Sequence, residues 1–223
     1  MTRPRIYQVI EGRQAPEAIE AASFAAIDAE APAHSFTPGQ WRVVQRMIHA
    51  SADFTIAQGA RFSAGAVEAA VAALRAGAPL YVDSNMIRAG LSLARLRQVN
   101  AGYGPDRVFC HIADEDVARE ARAAGLPRSL YAVRKAKAML DGGIAVFGNA
   151  PVALLELNRM ILEEGVRPAF VVALPVGFVH VVESKEEVLG LGVPYVTVAG
   201  RKGGSPLAVA AVHAFCSLAE EAR

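Results

Sequence analysis

His49 is the side chain in this sequence whose neighbours best suit acid–base chemistry. It lies near the end of a helix that Pro38 is predicted to begin. Helical spacing places Arg42 and Arg46 close to the ring, and two guanidinium groups favour the neutral imidazole that can accept or pass a proton near pH 7. Asp53 could hold one ring nitrogen if the helix extends that far. The alternative is that His49 lies at a solvated helix end and takes no part in chemistry.

Glycine and basic residues before a predicted helix indicate a site for an anionic group. The run GRKGGS at residues 200–205 could bind a carboxylate through its backbone N–H groups and the side chains of Arg201 and Lys202. Arg128, next to Ser129, places a further cation at another helix start. The alternative for the run at 200–205 is a plain turn, and the alternative for Arg128 is a surface ion pair. The chain has neither a Walker loop nor a GxGxxG motif after its first strand, so we expect an acidic ligand that is not a nucleotide.

Other polar residues give weaker signals of the same site. Asn149 lies in the run GNAP at residues 148–151, where it either faces a ligand or only caps the following helix. Ser23 lies on the apolar side of a predicted helix, where a hydrogen bond to its own helix competes with a ligand contact. The histidines lack metal-binding spacing. Although His111 adjoins Cys110 at a strand end, we predict no metal site.

Composition and charge restrict the class of protein. The 223 residues carry a net charge of +1 and are 53% hydrophobic. These values predict one domain, residues 1–223, with a sizeable core and no general affinity for nucleic acid or membrane surfaces. Cys110 and Cys216 have neither zinc-ligand nor redox spacing. Without a signal sequence or an uncharged segment of about 18 residues, the chain is expected to be soluble and cytoplasmic.

Short apolar strands alternate with helices along the chain. Strands are predicted at 79–83, 107–110, 143–147, 170–174 and 195–198. Helices are predicted at 16–30, from 38 through His49, and at 62–76, 86–96, 114–124, 129–140, 152–164, 185–191 and 206–222, after a polar arm at 1–13. Strands that are apolar on both faces predict a five-stranded parallel sheet covered by helices on each side. The turns after the strands then meet at one edge and form the floor of a ligand cleft.

Five sequence runs together resemble one known family. They are RMIHASAD at 46–53, GNAP at 148–151, PVGFV at 175–179, ESK at 183–185 and GRKGGS at 200–205. In this order, and over about residues 19–215, the sequence is similar to the precorrin-8X methylmutase family of cobalamin (corrin ring) biosynthesis. The resemblance implies a flavodoxin-like three-layer α/β/α homodimer with its active site near the subunit interface. It also implies an isomerase without a cofactor, which moves a methyl group from C11 to C12 of precorrin-8X or cobalt-precorrin-8 by a 1,5-sigmatropic shift and gives hydrogenobyrinate or cobyrinate.

The resemblance further implies roles for particular residues. His49 falls at the position of the family's catalytic histidine, Arg128 at that of a substrate-binding arginine and Ser23 at that of a nearby serine. The other residues expected to face the tetrapyrrole substrate are Ser129, Asn149, Gly177, Arg201, Lys202, Gly203, Gly204 and Ser205. The sequence departs from the family pattern at Val152, His180 and His213. A non-catalytic tetrapyrrole-binding carrier is the alternative function, and a nucleotide-binding regulator is a weaker third.

Overall fold

A computed structural model describes residues 3–13 and 15–221 of the chain. Its strands are β1 (Ala60–Phe62), β2 (Leu80–Val82), β3 (Val108–Phe109), β4 (Ile144–Phe147), β5 (Phe170–Ala173) and β6 (Tyr195–Val198). Its helices are α1 (Ile6–Gly12), α2 (Pro16–Glu30), α3 (Pro38–Ser51), α4 (Thr55–Gly59), α5 (Ala66–Arg75), α6 (Asn85–Gly90), α7 (Leu93–Val99), α8 (Glu115–Ala124), α9 (Arg128–Lys135), α10 (Lys137–Leu140), α11 (Pro151–Glu164), α12 (Val181–Val188) and α13 (Ser205–Glu221). The first two residues of the predicted arm and Ala222 of the last predicted helix lie outside the described residues, as do residues 14 and 223.

The six strands described form one mixed sheet in the order β1-β6-β5-β4-β2-β3. The five strands predicted from the sequence are present and parallel to one another. Their apolar residues are covered on both faces, as is usual for parallel strands. Read from β3, they follow the 2-1-3-4-5 order of flavodoxin-like sheets. β1 is an additional strand antiparallel to β6. The predicted sheet was therefore one strand short, and not all of its strands are parallel.

β1 ends at Phe62, the residue at which the sequence predicted that a helix would begin. All three residues of β1 pair with residues of β6, and the side chain of Arg61 faces solvent. Such a short segment carries little periodicity, so only its pairing with a distant strand defines it. Gly65 then takes a left-handed conformation with φ of 66°, and α5 begins at Ala66.

Each face of the sheet has its own apolar core. Leu80 and Val82 of β2 belong to a cluster with buried residues of α3, α5, α7 and α13. Tyr81, which points to the opposite face, belongs to a second cluster with residues of α9, α11 and α12. The helix that carries His49 and the helix that carries Arg128 therefore lie on opposite faces of the sheet.

Several helices differ from their predicted limits. The helix predicted at 86–96 is two helices, α6 and α7, because the Ser92 hydroxyl caps α7 by accepting a hydrogen bond from the N–H of Arg95. The helix predicted at 129–140 is similarly divided into α9 and α10 at Ala136. α12 begins earlier than predicted, directly after His180, which has a left-handed backbone with φ of 59°.

Helices α1 and α2 contribute little to either core. α1, within the predicted polar arm, has no buried residue, and Ile6 and Ile10 are both more than half exposed. On α2, only Ile27 is buried, whereas Ile19 is exposed. Helices α1 and α2 therefore leave apolar side chains uncovered in the single chain.

In the described part of the chain, no helix combines the length and apolar character that a bilayer crossing requires.

Candidate active site

His49 lies in the last turn of α3, outside the buried stripe of that helix. Thr37 and Gln40 cap α3 reciprocally, each side chain accepting a hydrogen bond from the backbone N–H of the other, and Pro38 follows at the first helical position. The buried stripe consists of Val43, Val44, Met47 and Ile48. The His49 ring is exposed, and its centre lies 5.1 Å from that of the Phe24 ring.

His49 lines a surface depression of about 400 Å³ between α2 and α3. Ser23 lies on the α2 side, and its hydroxyl donates a 2.9 Å hydrogen bond to the carbonyl of Ile19. For Ser23, the sequence had left open either this hydrogen bond within the helix or a contact with a ligand. Glu30 and Phe54 also line the depression. The structure thus brings together Ser23 and His49, two of the residues predicted for one site.

The two arginines predicted beside the imidazole are each engaged by a carboxylate. Arg42 contacts Glu221 with an N–O distance of 2.5 Å, and Arg46 contacts Glu20 at 3.0 Å. Both carboxylates are remote in sequence from α3, which is why the sequence did not indicate them. These ion pairs offset the positive potential that the two guanidinium groups were expected to place at His49.

Asp53 does not orient the His49 ring, so that part of the prediction was wrong. α3 ends at Ser51, and Ala52 takes a left-handed conformation with φ of 52° that redirects the chain. One oxygen of Asp53 instead accepts hydrogen bonds from Thr55, at 2.9 Å from its backbone N–H and at 2.6 Å from its hydroxyl. The carboxylate therefore fixes the start of α4.

Lys202 connects the glycine-rich loop after β6 to this turn. Its ammonium donates a hydrogen bond to the second oxygen of Asp53 at 2.5 Å and also contacts the hydroxyl of Thr55. The hydrogen bond from Lys202 is the main cause that lowers the pKa of Asp53 to about 2, so the ion pair persists at neutral pH. Within the described residues Arg201, next to it, forms no ion pair and remains the freer cation of this loop.

A second depression, of about 370 Å³, lies beside the end of α3 at the carboxyl edge of the sheet. Its lining residues include Ser51, Asp53, Gly177, Arg201, Lys202 and Gly203. Phe178 at its rim is 83% exposed, and the guanidinium carbon of Arg201 lies 5.4 Å from the centre of its ring. The linings of the two depressions alternate along the end of α3 and the turn after it, since His49, Ala52 and Phe54 line the first and Ser51 and Asp53 line the second. His49 is thus two residues from Ser51, which lines the opening formed by the turns after β5 and β6.

In the loop at 200–203, the carbonyls of residues 200, 201 and 202 accept hydrogen bonds, whereas most of the N–H groups are free. The carbonyls of residues 200 and 202 accept hydrogen bonds from the Lys185 ammonium at 3.1 and 2.5 Å, and that of Arg201 accepts one from the N–H of Gly177 at 3.3 Å. Among the described residues, the N–H groups of residues 200, 201 and 203 have no hydrogen-bond acceptor. The loop therefore presents donors, which suits an anionic ligand.

Two glycines of this segment are required by its backbone. A Cβ atom on Gly203 would lie 2.3 Å from the carbonyl oxygen of Leu174, which is closer than any side chain can approach. Gly204 has a φ of 123°, in the region that favours glycine. Both glycines allow the loop to fold against the end of β5.

Asp83 is a buried carboxylate that holds the turn after β4, and the sequence reasoning missed it. One of its oxygens accepts a hydrogen bond from the N–H of Gly148 at 3.1 Å, and the other accepts from Asn149 at 2.9 Å and Ala150 at 2.7 Å. Asp83 is 1% exposed, and burial raises its pKa to about 6 against the lowering effect of the three N–H donors. An aspartate directly after a buried strand was the available signal. Asn149 itself is exposed, with its backbone fixed.

Ser205 is buried at the start of α13, and its hydroxyl lies 3.1 Å from that of Ser84. A Cβ atom on Gly148 would lie 2.9 Å from the Cα of Ser205, so α13 packs directly over the turn after β4. The sequence predicted that all five strand-end turns form one cleft floor. The structure instead fills the switch point between β2 and β4 with these contacts, and the opening lies at β5 and β6.

Arg128 begins α9 at the carboxyl edge of the sheet. Two ion pairs show that α9 and its continuation α10 run in the same direction as α11. Arg134 pairs with Glu156 at 2.8 Å, and Lys137, further along, pairs with Glu164 at 2.6 Å, also further along. α11 follows β4 and therefore begins at the carboxyl edge. The first turn of α9 lies at the same end.

Arg128 is exposed and has no ion pair among the described side chains, whereas Ser129 is buried on the packed side of α9. Since α9 and α3 lie on opposite faces of the sheet, one chain does not bring Arg128 into the depression that contains His49. The structure thus groups His49 with Ser23, groups Gly177 with Arg201, Lys202 and Gly203, and leaves Arg128 and Asn149 on the other side of the edge.

The fold and these sites define an α/β protein with an exposed imidazole beside a donor-rich opening for an acidic ligand. A family model described as precorrin-8X methylmutase matches residues 18–218. The chain belongs to the precorrin-8X methylmutase family. It is accordingly an isomerase, a methylmutase of cobalamin biosynthesis.

Individual relatives agree with this assignment. The chain is 41% identical over 211 residues to a cobalt-precorrin-8 methylmutase of Leptospira interrogans, covering 91% of this chain and 94% of the relative. It is 39% identical over 203 residues to a precorrin-8X methylmutase of Pseudomonas aeruginosa, covering 90% and 95%. A crystal structure of a precorrin-8X methylmutase from Thermus thermophilus superposes with a TM-score of 0.84 at 46% identity, covering 92% of this chain and 97% of that one.

Proposed function

We propose that this protein moves the methyl group of precorrin-8X or cobalt-precorrin-8 from C11 to C12, with His49 as the acid or hydrogen-bond donor. The observation that carries the proposal is the position of the His49 ring. It is exposed in the depression between α2 and α3, and the same helix contributes Ser51 to the carboxyl-edge depression whose loop has unpaired N–H groups. Family membership supplies the substrate class, and the site supplies a residue for the chemistry.

The chemistry requires one bond to break and one to form within a single molecule. The C11–methyl bond is lost while the C12–methyl bond forms, so no atom enters or leaves the substrate. A hydrogen bond or proton from His49 to a ring nitrogen near C11 withdraws electron density from the conjugated system and stabilises the transition state. The chain's remaining task is to hold the ring in one orientation against this imidazole.

The acidic rim of the macrocycle is proposed to contact the donor groups at the carboxyl edge. The free N–H groups of the loop at 200–203 and the guanidinium of Arg201 suit carboxylates. The exposed ring of Phe178 offers an apolar surface for the face of the macrocycle. Ser23, Asn149 and Gly177 are proposed to contact the substrate from the surrounding turns. Ser129 and Ser205 are buried, and Lys202 is paired with Asp53. We propose that these three residues support substrate binding indirectly, by holding the turns in place.

Incubation with substrate tests this function directly. Purified protein should convert metal-free precorrin-8X, cobalt-precorrin-8 or both, and the change in conjugation is followed by absorbance. The preferred form, with or without cobalt, is identified by comparing the two rates. A carrier protein would bind the macrocycle tightly without changing its spectrum beyond the binding step, and that result would replace the enzyme by the alternative.

Arg128 is proposed to anchor a carboxylate of the substrate. Replacing it with alanine should weaken substrate binding by about tenfold, since a charge-assisted hydrogen bond contributes about 1.5–3 kcal/mol. The rate at saturating substrate should change less. Binding is measured by absorbance titration, with Arg122→Ala on the neighbouring helix α8 as a control that also removes an exposed arginine. A lower rate at saturation with unchanged affinity would contradict an anchoring role.

A homodimer in the cytoplasm is proposed as the active form, with a single domain in each subunit. Two copies provide a way to place Arg128 of one subunit near His49 of the other, since they lie on opposite faces within one chain. The exposed apolar residues of α1 provide additional surface for such contact.

Mixed dimers test this arrangement. After subunit exchange between His49→Ala and Arg128→Ala proteins, about one quarter of the sites should be intact if each site combines both subunits. Activity at low substrate concentration should then exceed that of either variant alone, and sedimentation velocity should show a dimer. A monomer with full activity, or no recovery after mixing, would contradict the shared site.

A further inference from the structure

Lys185 is a buried cation whose polar contacts are all with the backbone. It is 1% exposed, and its ammonium donates hydrogen bonds to the carbonyls of Val198, Gly200 and Lys202 at 2.8, 3.1 and 2.5 Å. Among the described side chains it has no carboxylate partner. Burying a charge without a counterion costs free energy unless dipoles satisfy it completely. Three carbonyl acceptors match the three N–H donors of an ammonium group.

The three carbonyls define one segment, the end of β6 and the loop that follows it. When the ammonium draws these carbonyls inward, the peptide groups of the loop turn their N–H bonds the other way. This explains why the N–H groups of residues 201 and 203, which share peptide groups with the carbonyls of Gly200 and Lys202, have no acceptor in the described part of the chain. It also directs the Lys202 side chain toward Asp53, in the turn that follows the helix of His49.

The neighbouring acidic groups do not account for the burial of Lys185. Glu183 and Glu186 on α12 are exposed, and Glu187 accepts a hydrogen bond from the side-chain amide of Asn158. Burial lowers the pKa of Lys185 to about 8, which leaves most of the ammonium protonated at neutral pH. A residue needed only to fill this space would be apolar, since a methionine has similar length and no charge to desolvate.

We propose that Lys185 is a positioning residue that fixes the loop at 200–203 with its N–H groups outward, where they bind a carboxylate of the substrate. This inference rests on the proposed tetrapyrrole substrate. The loop then contributes to recognition through its backbone, and Lys185 acts without touching the ligand. The run ESK at 183–185 acquires a physical role that its resemblance to a family motif did not explain.

Lys185→Met tests the proposal because it removes the ammonium and keeps the length of the side chain. The dissociation constant for the reaction product should rise about tenfold, corresponding to the loss of about one charge-assisted contact. The rate of a single turnover at saturating substrate should stay within about threefold of the parent rate. Lys137→Met is the matched control, since Lys137 pairs with Glu164 in α11 and does not contact the loop. It should leave both quantities unchanged.

A methyl-esterified product distinguishes positioning of an anion site from a general structural defect. Its ring has the same shape but no carboxylates. The proposal predicts that the parent protein and Lys185→Met bind this ester with equal affinity, whereas they differ about tenfold for the acid. The proposal would be overturned if the parent protein and Lys185→Met bound the acid with equal affinity. It would also be overturned if the substitution weakened binding of the acid and of the ester by the same factor. If Lys185→Met fails to fold, Lys185→Gln, which retains two N–H donors, should give a smaller loss for the acid alone. The parent protein's own binding and conversion of substrate test the proposed function separately.

Discussion

Replacing His49 with alanine should lower turnover by about 10²–10⁴-fold, the range that a positioned general acid contributes. Affinity for the tetrapyrrole should remain within about threefold of the parent value, because the proposed rim contacts come from other elements, including the loop at 200–203 and Arg128. The expected defect therefore lies in the rate at saturating substrate. This separation follows if the imidazole interacts with the ring more strongly in the transition state than in the ground state.

Single-turnover absorbance kinetics and an equilibrium titration measure the two quantities. His34→Ala is the control, since His34 is also exposed but stacks on Trp41, with 4.1 Å between ring centres, away from both depressions. It should retain parent activity. His49→Gln keeps a hydrogen-bond donor and should recover part of the rate if donation without full proton transfer suffices. Near-normal turnover in His49→Ala would remove this residue from the mechanism.

Asp83 should make the stability of the protein depend on pH in an unusual direction. Its pKa is raised from 3.8 to about 6 in the folded state. Between pH 4 and 6 the folded protein therefore holds a proton that the unfolded chain has released, so the free energy of unfolding falls as the pH rises through this range. The contribution should be largest below pH 4 and smaller by about 3 kcal/mol above pH 6.

Urea denaturation at pH 4 and pH 7 measures this effect as a difference between the parent protein and Asp83→Asn. The asparagine cannot titrate, so the parent's advantage over the variant should shrink by about 3 kcal/mol between the two pH values. Ser84→Ala is the control, because it removes the neighbouring hydroxyl contact with Ser205 without removing a titrating group. A constant difference between parent and Asp83→Asn, or one that grows with pH, would show that Asp83 is not the source.

Local patterns were sufficient to predict the elements that carry the site. The start of α3 at Pro38 and the five parallel strands follow from the helix-start preference of proline and from runs of apolar residues. β1 was missed because its three residues have no period of their own and depend on pairing with β6. The family resemblance was confirmed by relatives that align over most of the chain.

The electrostatic surroundings of the site could not be predicted in the same way. Lys202 and Asp53 are 149 residues apart, and Arg42 and Glu221 are 179 apart, so their ion pairs exist only after the chain has folded. Helical spacing placed Asp53 beside His49, but the left-handed turn at Ala52 directs it elsewhere. The contacts of Asp83 and Lys185 with backbone groups were equally invisible, since the partners carry no side-chain signature.

Two strand-end loops are held by buried ions that contact only their main-chain atoms, one through N–H groups and the other through carbonyls. Such an attachment does not depend on the exposed side chains that the loops carry. Exposed residues such as Asn149 and Arg201 can therefore be exchanged during evolution without dismantling the framework beneath them. We therefore expect replacements at such exposed positions to change substrate affinity while the architecture beneath them stays intact.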